Sequence, residues 1–134
     1  MKAFIDANLL IYLNTVKNKV VRAGYERLYF DVLRSYKLVT DGLVLDETIF
    51  VSWKKYNVPY KVTLSFIEGA VLPYVEILPL GEEEYVEAAK IIRKHGLKPS
   101  DALHAAAMLL NNVKVIVSED DDFDKFSWLK RIWI

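Results

Sequence analysis

The segment SEDDDFDKF, residues 118–126, crowds Glu119, Asp120, Asp121, Asp122 and Asp124 into a few positions. Three other acids stand far from it in the chain, each in an apolar setting. Asp6 ends the run KAFI, Glu47 lies inside LVLDETIFV, and Asp101 opens the Ala-rich stretch PSDALHAAAM. If folding brings these carboxylates together, they cannot all stay ionised without a cation. The chain has no cysteine and only two histidines, so the ligands would be hard oxygens, which favours Mg2+ or Mn2+ over Zn2+. Mg2+ typically takes one or two carboxylates directly and keeps several waters. A hydrated cation in an acidic pocket suits attack of water on a phosphodiester, because it lowers the pKa of the water and screens the phosphate charge.

Each acid also has a plain structural use. Asp6 can N-cap the helix that follows it, with Asn8 serving the same loop. Glu47 shares a helical stripe with Leu43 and Val51, while Thr48, Ser52 and Lys55 mark the wetter side. A carboxylate on an apolar stripe needs a base or a cation. Asp101 can compensate a helix dipole. His104, three residues later, reads as a satisfied core histidine rather than a ligand, and His95, near a helix end, as a surface residue. In the acidic run, Phe123 and Phe126 dock as one turn with Asp122 as its N-cap. Glu119, Asp121 and Asp124 read as solvated charge, and Asp46 points away from Glu47. Asp120 is then the acid nearest the strand end that has no other explanation.

The elements that must position these residues follow from periodicity. KAFI (2–5), VEILPL (75–80), VKVIV (113–117) and RIWI (131–134) read as strands, the last at an edge. Helical spacing covers ANLLIYLN, residues 20–36, residues 43–56 and TLSFIEGAVL, which ends at Pro73. EEEYVEAAKIIRKHG has acids in its first turn, bases in its last and Gly96 at its end. PSDALHAAAMLLNN, with Ser100 as N-cap, is apolar nearly all round and so belongs in a buried position. Strands separated by helices predict an α/β fold on a mostly parallel sheet. In open α/β sheets, sites lie outside the carboxyl ends of the strands, where Asp6 and the acidic run both fall.

The totals bound the function. The 134 residues suit a single domain, 1–134. Lys plus Arg and Asp plus Glu are 18 each, so no global field draws in nucleic acid and any polyanion contact must be local. The segment from Thr15 to Lys37 concentrates Lys17, Lys19, Arg22, Arg27, Arg34 and Lys37, which reads as an ordinary solvated helix face. Tyr25, Tyr29 and Tyr36 on it read as core packing. The absence of cysteine excludes disulfides and thiolate metal sites. Asp6 breaks the N-terminal apolar run, and no uncharged run approaches the ~20 residues needed to cross a bilayer, so a soluble cytoplasmic protein is expected.

With these residues assembled, the chain resembles the PIN domain, in particular the VapC-type toxins of toxin–antitoxin pairs, over essentially its whole length. FIDANLLIY carries the first acid, Asp6, and its polar companion Asn8. LVLDETIFV carries the mid-chain Glu47. KPSDALHAAAM, the most specific segment, carries Asp101. VIVSEDDDF carries Ser118, Asp120 as the fourth acid and Asp122 as an accessory acid. The resemblance implies a three-layer α/β/α fold and a Mg2+- or Mn2+-dependent endoribonuclease. In it, Asp6, Glu47, Asp101 and Asp120 position the ion and its waters, Asp122 and Glu47 being accessory. It also implies an RNA substrate, a homodimer, and an antitoxin that blocks the acidic pocket with a basic side chain.

Other classes fit less well. A phosphoaspartate receiver needs a pair of acids after the first strand and a phosphorylatable Asp after a middle strand, but Asp6 stands alone and VEILPL has none. A haloacid-dehalogenase-type phosphatase needs a second Asp where Asn8 stands. The rival that remains is a catalytically inactive module of the same fold that only binds RNA or a protein partner.

Overall fold

The computed structural model describes residues 1–134. Five parallel strands form one sheet in the order β3-β2-β1-β4-β5. They are β1 (Lys2–Ile5), β2 (Lys37–Asp41), β3 (Val75–Leu78), β4 (Val115–Val117) and β5 (Lys130–Ile132). Between them run α1 (Ala7–Thr15), α2 (Lys19–Ser35), α3 (Gly42–Tyr56), α4 (Tyr60–Phe66), α5 (Glu82–His95) and α6 (Pro99–Leu110). Right-handed crossovers from β1 to β2 to β3 place α1–α4 on one face of the sheet. The chain then returns past β1 to β4, which places α5 and α6 on the other. The result is the expected three-layer α/β/α fold.

β1 is central because it is apolar on both faces, as strands buried under two helical layers must be. Ala3, Phe4 and Ile5 are all fully buried. Strand order reverses between β1 and β4, and at such a switch point the carboxyl ends of neighbouring strands open a crevice. The ladder reaches that crevice through the Asp6 amide, which donates to the Val117 carbonyl at 3.1 Å.

Helix ends follow local chemistry. Asn18 caps α2 by accepting from the amides of Val20 and Val21. Gly96 (φ 65°) closes α5 in the left-handed conformation a glycine adopts without strain. α4 widens into a π-turn over Ile67–Val71, where the Tyr29 hydroxyl donates to the Ala70 carbonyl at 2.7 Å. α6 is buried as its composition requires, with Ala102, Ala105, Ala106, Ala107 and Met108 all sealed.

Besides strand β2, which the sequence reading does not contain, three details differ from it. Ser100 is not the N-cap of α6. Lys98 holds that position, and Pro99 starts the helix, where its missing N–H costs nothing. Asp120, not Asp122, caps the 3-10 turn Asp121–Lys125 by accepting from the Asp122 amide. On α3 the buried face carries Val44, Thr48 and Ser52 rather than Leu43 and Val51. The hydroxyls are buried because each is satisfied. Thr48 donates to the Val44 carbonyl at 2.7 Å, and Ser52 accepts from Asn14 Nδ2 at 3.0 Å. The same Asn14 amide donates to Thr63 at 2.8 Å.

Candidate metal centre at the strand ends

Asp6 stands just past β1, 6% exposed, and both of its oxygens are engaged. Oδ1 accepts from the Ala7 amide at 2.8 Å, the capping use its position predicts. Oδ2 accepts from the Ser118 hydroxyl at 2.6 Å. Ser118 is fully buried just past β4, and its oxygen accepts in turn from the Asp120 amide at 3.0 Å. One serine thus ties the first acid to the loop carrying the fourth. Asn8 strengthens the tie by accepting from the Glu119 amide at 3.2 Å.

Asp101 projects from the first turn of α6, 8% exposed. One carboxylate oxygen each from Asp101, Asp120 and Asp122 lies within 4.8 Å of the others. Asp6 flanks this triad without joining it, because its oxygens are turned to Ala7 and Ser118. Burial, and then the charges of Asp6 and Asp120, push the Asp101 carboxyl up to about 6. Glu47, on the exposed side of α3, is raised by partial desolvation and next by Asp6. No lysine or arginine forms an ion pair with Asp6, Glu47, Asp101, Asp120 or Asp122. The rest of the acidic run has other contacts. Glu119 accepts from the Tyr12 hydroxyl at 2.6 Å, and Asp124 pairs with Arg131 at 3.0 Å.

Behind the acids lies a pair that sequence reasoning did not assemble. His104 is satisfied by Asp41, a residue given no role in advance. Asp41 ends β2, and β2 itself was not anticipated. Burial opposes a charge on His104, but the hydrogen bond and charge of Asp41 outweigh it, and the net pKa is raised. The signal available was the short run LVT, with the strand-favouring Val39 and Thr40, closed by an acid just as KAFI is closed by Asp6.

The PIN domain family matches this sequence over residues 3–129. The chain belongs to the PIN domain family. No curated protein matches this PIN chain by sequence. Among solved structures, Mycobacterium tuberculosis VapC20, a sarcin–ricin loop cleaving toxin, superposes with TM-score 0.73 at 16% identity, covering 92% of this chain and 93% of its own. FitAcB from Neisseria gonorrhoeae gives 0.71 at 16% identity, covering 97% and 96%. VapBC2 from Rickettsia felis, bound to a promoter DNA fragment, gives 0.70 at 17% identity, covering 99% and 98%. At these identities the likeness shows that the PIN chain shares their fold. No helix of the chain is long and apolar enough to cross a membrane.

Proposed function

We propose that this PIN domain is a Mg2+- or Mn2+-dependent endoribonuclease and the toxin of a VapBC-type pair. The observation that carries the reading is the convergence of Asp101, Asp120 and Asp122 beside Asp6, at the carboxyl ends of two adjacent parallel strands. A divalent cation fits these residues on their own chemistry. The donors are hard oxygens, no lysine or arginine is ion-paired with them, and the most buried of the three, Asp101, is pushed up to about 6 by burial and then by the charges of Asp6 and Asp120.

Asp101, Asp120 and Asp122 would hold the ion. When bound, it supplies Lewis acidity, lowering the pKa of a water and screening charge on the scissile phosphate. Ser118 fixes Asp6 beside the triad, close enough for its charge to act on Asp101. Glu47, exposed on α3 and near enough to Asp6 for their charges to interact, would orient a water by accepting a hydrogen bond from it. Burial of Asp101 and of Ser118, which holds Asp6, keeps these two acids in place before substrate arrives.

RNA is the proposed substrate, a reading supported by membership of the PIN domain family and by the shared fold of VapC20, a sarcin–ricin loop cleaving toxin. A cognate antitoxin that inserts a basic side chain among the acids would neutralise them in place of the cation. A homodimer is proposed on the same resemblance, with the cytoplasm as its compartment. The deciding experiment incubates a mixed RNA pool with Mg2+ or Mn2+ and compares wild type, Asp6→Asn and wild type in EDTA. Cleavage by wild type alone is expected. Equal cleavage by Asp6→Asn, or cleavage in EDTA, overturns the site. No cleavage under any condition leaves the inactive binding module.

A further inference from the structure

The segment that presents Asp120 and Asp122 begins at Ser118, just past β4, and closes with the 3-10 turn Asp121–Lys125. Both ends of it meet one side chain. Arg131 Nη1 donates to the Ser118 carbonyl at 3.2 Å. Its Nε and Nη2 donate to Asp124 Oδ1 and Oδ2 at 3.0 and 3.2 Å. Two acids of the triad therefore lie on a loop that one guanidinium closes. The sheet puts Arg131 there. β5 pairs with β4 so that Arg131 stands opposite Ile116. The ladder then runs on through the Ser118 amide, which donates to the Ile132 carbonyl at 3.2 Å.

The two ends of this loop differ in what else holds them. The start is tied several times, by Ser118 to Asp6, by Asn8 to the Glu119 amide and by the Tyr12 hydroxyl to the Glu119 carboxylate. At the far end Phe123 is fully buried and holds the turn against the core. Apolar burial is non-directional, so it sets the depth of the turn rather than its rotation. Rotation decides where the Asp122 carboxylate points, because only the amide of that residue is tied, to Asp120. The side-chain bonds that reach the turn from outside the loop are those of Arg131 to Asp124.

Charge alone does not account for the pair. The Arg131 side chain is 23% exposed and that of Asp124 54%, and an ion pair so open to water adds little to stability. The hydrogen bond to Asp124, and then the charges of Asp124, Asp121 and Asp120, favour the charged guanidinium. A positive charge thus stands within reach of Asp120, where it opposes the binding of a second cation. What the guanidinium supplies is geometry. Its planar fork meets both oxygens of a carboxylate while the remaining Nη meets a carbonyl, whereas a lysine ammonium is a point charge on a flexible stem.

We propose that Arg131 is a positioning residue of the metal centre: by joining the Ser118 carbonyl to the Asp124 carboxylate, it holds Asp120 and Asp122 in convergence with Asp101. The proposal rests on the metal-centre reading and adds to it a residue of β5, outside the acidic run.

Isothermal titration with Mn2+ on wild type, Arg131→Met, Arg131→Lys and Asp124→Asn tests it, because positioning and charge predict opposite signs. Lost positioning weakens Mn2+ binding about ten-fold in both Arg131 variants, as removal of groups that orient metal ligands does. Loss of a repelling charge alone would tighten binding in Arg131→Met and leave Arg131→Lys unchanged. Asp124→Asn keeps an oxygen for Nε and should stay within about two-fold. A second readout needs no metal. In EDTA, hydrogen exchange at the Asp120 and Asp122 amides should be about ten-fold faster in Arg131→Met, with the amides of β1 and α6 unchanged. Circular dichroism confirms folding, and Arg131→Lys carries the test if Arg131→Met does not fold. Raising Mn2+ should restore RNA cleavage by the Arg131 variants. A loss of kcat that saturating Mn2+ leaves in place would mean contact with the scissile phosphate and overturns the positioning role. So does Mn2+ affinity in Arg131→Met equal to or tighter than wild type, or unchanged amide exchange. In each of those cases wild type still binds Mn2+ and the metal centre stands. Wild type that binds no Mn2+ removes the metal centre and this role with it.

Discussion

Asp41 Oδ2 meets His104 Nδ1 at 2.6 Å, and both side chains are sealed from solvent. Asp41 also caps α3, with Oδ1 accepting from the Val44 amide at 3.1 Å. One carboxylate therefore joins the helix bearing Glu47 to the helix bearing Asp101. The His104 ring lies 5.3 Å from Phe4, directly under the strand that ends in Asp6. The charges of Asp6 and Asp101 both favour its protonated form.

Because the folded pKa of His104 is raised, its contribution to stability is fully present below the unfolded value of about 6.5 and is lost as pH rises through the folded value. Removing one partner of a buried pair strands the other. Asp41→Asn, which can still cap α3, should cost about 3 kcal/mol. It should also remove the decline in stability above pH ~6.5 expected of wild type. Urea denaturation at a series of pH values measures both effects. A variant that keeps the wild-type pH slope would show that His104 is neutral in the fold.

Asp101 works in the opposite sense. Its carboxyl is held at about 6 in the folded chain, against about 3.9 unfolded. Ionising it therefore penalises the metal-free fold above pH ~6, and the penalty disappears as pH falls below the unfolded value. Asp101→Asn should stabilise the protein in EDTA at neutral pH by about 2 kcal/mol, or roughly 7 °C in Tm. The same substitution should shrink the further gain that Mg2+ or Mn2+ gives wild type. Thermal melts with and without the cation decide. If Asp101 served only the dipole of α6, the substitution would lower Tm modestly in both conditions.

The strand-end acids were legible because each interrupts or closes an apolar run, and α/β topology sends such ends to one edge. The helices were legible for the same reason of periodicity. What stayed hidden was satisfaction at a distance. Thr48 and Ser52 look like the wet side of α3 until Asn14, on another helix, is seen donating to Ser52. Asp41 has no meaning without His104, 63 positions away. β2 was missed because KLVTD passes from α2 straight into α3 with no Gly, Pro or Asn before it. Its strand pairing comes from β1 and β3, not from local punctuation.

Ser118 bridges Asp6 and the Asp120 amide, so its hydroxyl fixes two acids without being one of the three converging carboxylates that would hold an ion. Ser118→Ala leaves Asp6 Oδ2 without its donor and frees the loop after β4. Metal affinity should fall about ten-fold or more, as it does when groups orienting metal ligands are removed. Isothermal titration with Mn2+ measures the loss, and Ser118→Thr should recover much of it if the hydroxyl is what matters. Unchanged affinity in Ser118→Ala would mean that the acids need no such positioning.

The acidic run should divide by position, not by charge. Asp120→Asn can still cap the 3-10 turn through its remaining carbonyl oxygen but withdraws one of the three converging charges. Asp122→Asn withdraws another, from a residue whose amide, not its carboxylate, is tied to the turn. Asp121 is exposed and outside the triad, and Asp124 is exposed and committed to Arg131. In RNA cleavage at saturating Mg2+, Asp120→Asn should reduce kcat/KM by about 100-fold or more and Asp122→Asn by about 10-fold, by analogy with removing groups that stabilise developing charge. Asp121→Asn and Asp124→Asn should stay within about two-fold, because isolated surface charges are well screened. Equal losses across all four would mean that the run acts through its summed field. A loss confined to Asp120 and Asp122 would tie activity to the two carboxylates that share a site with Asp101.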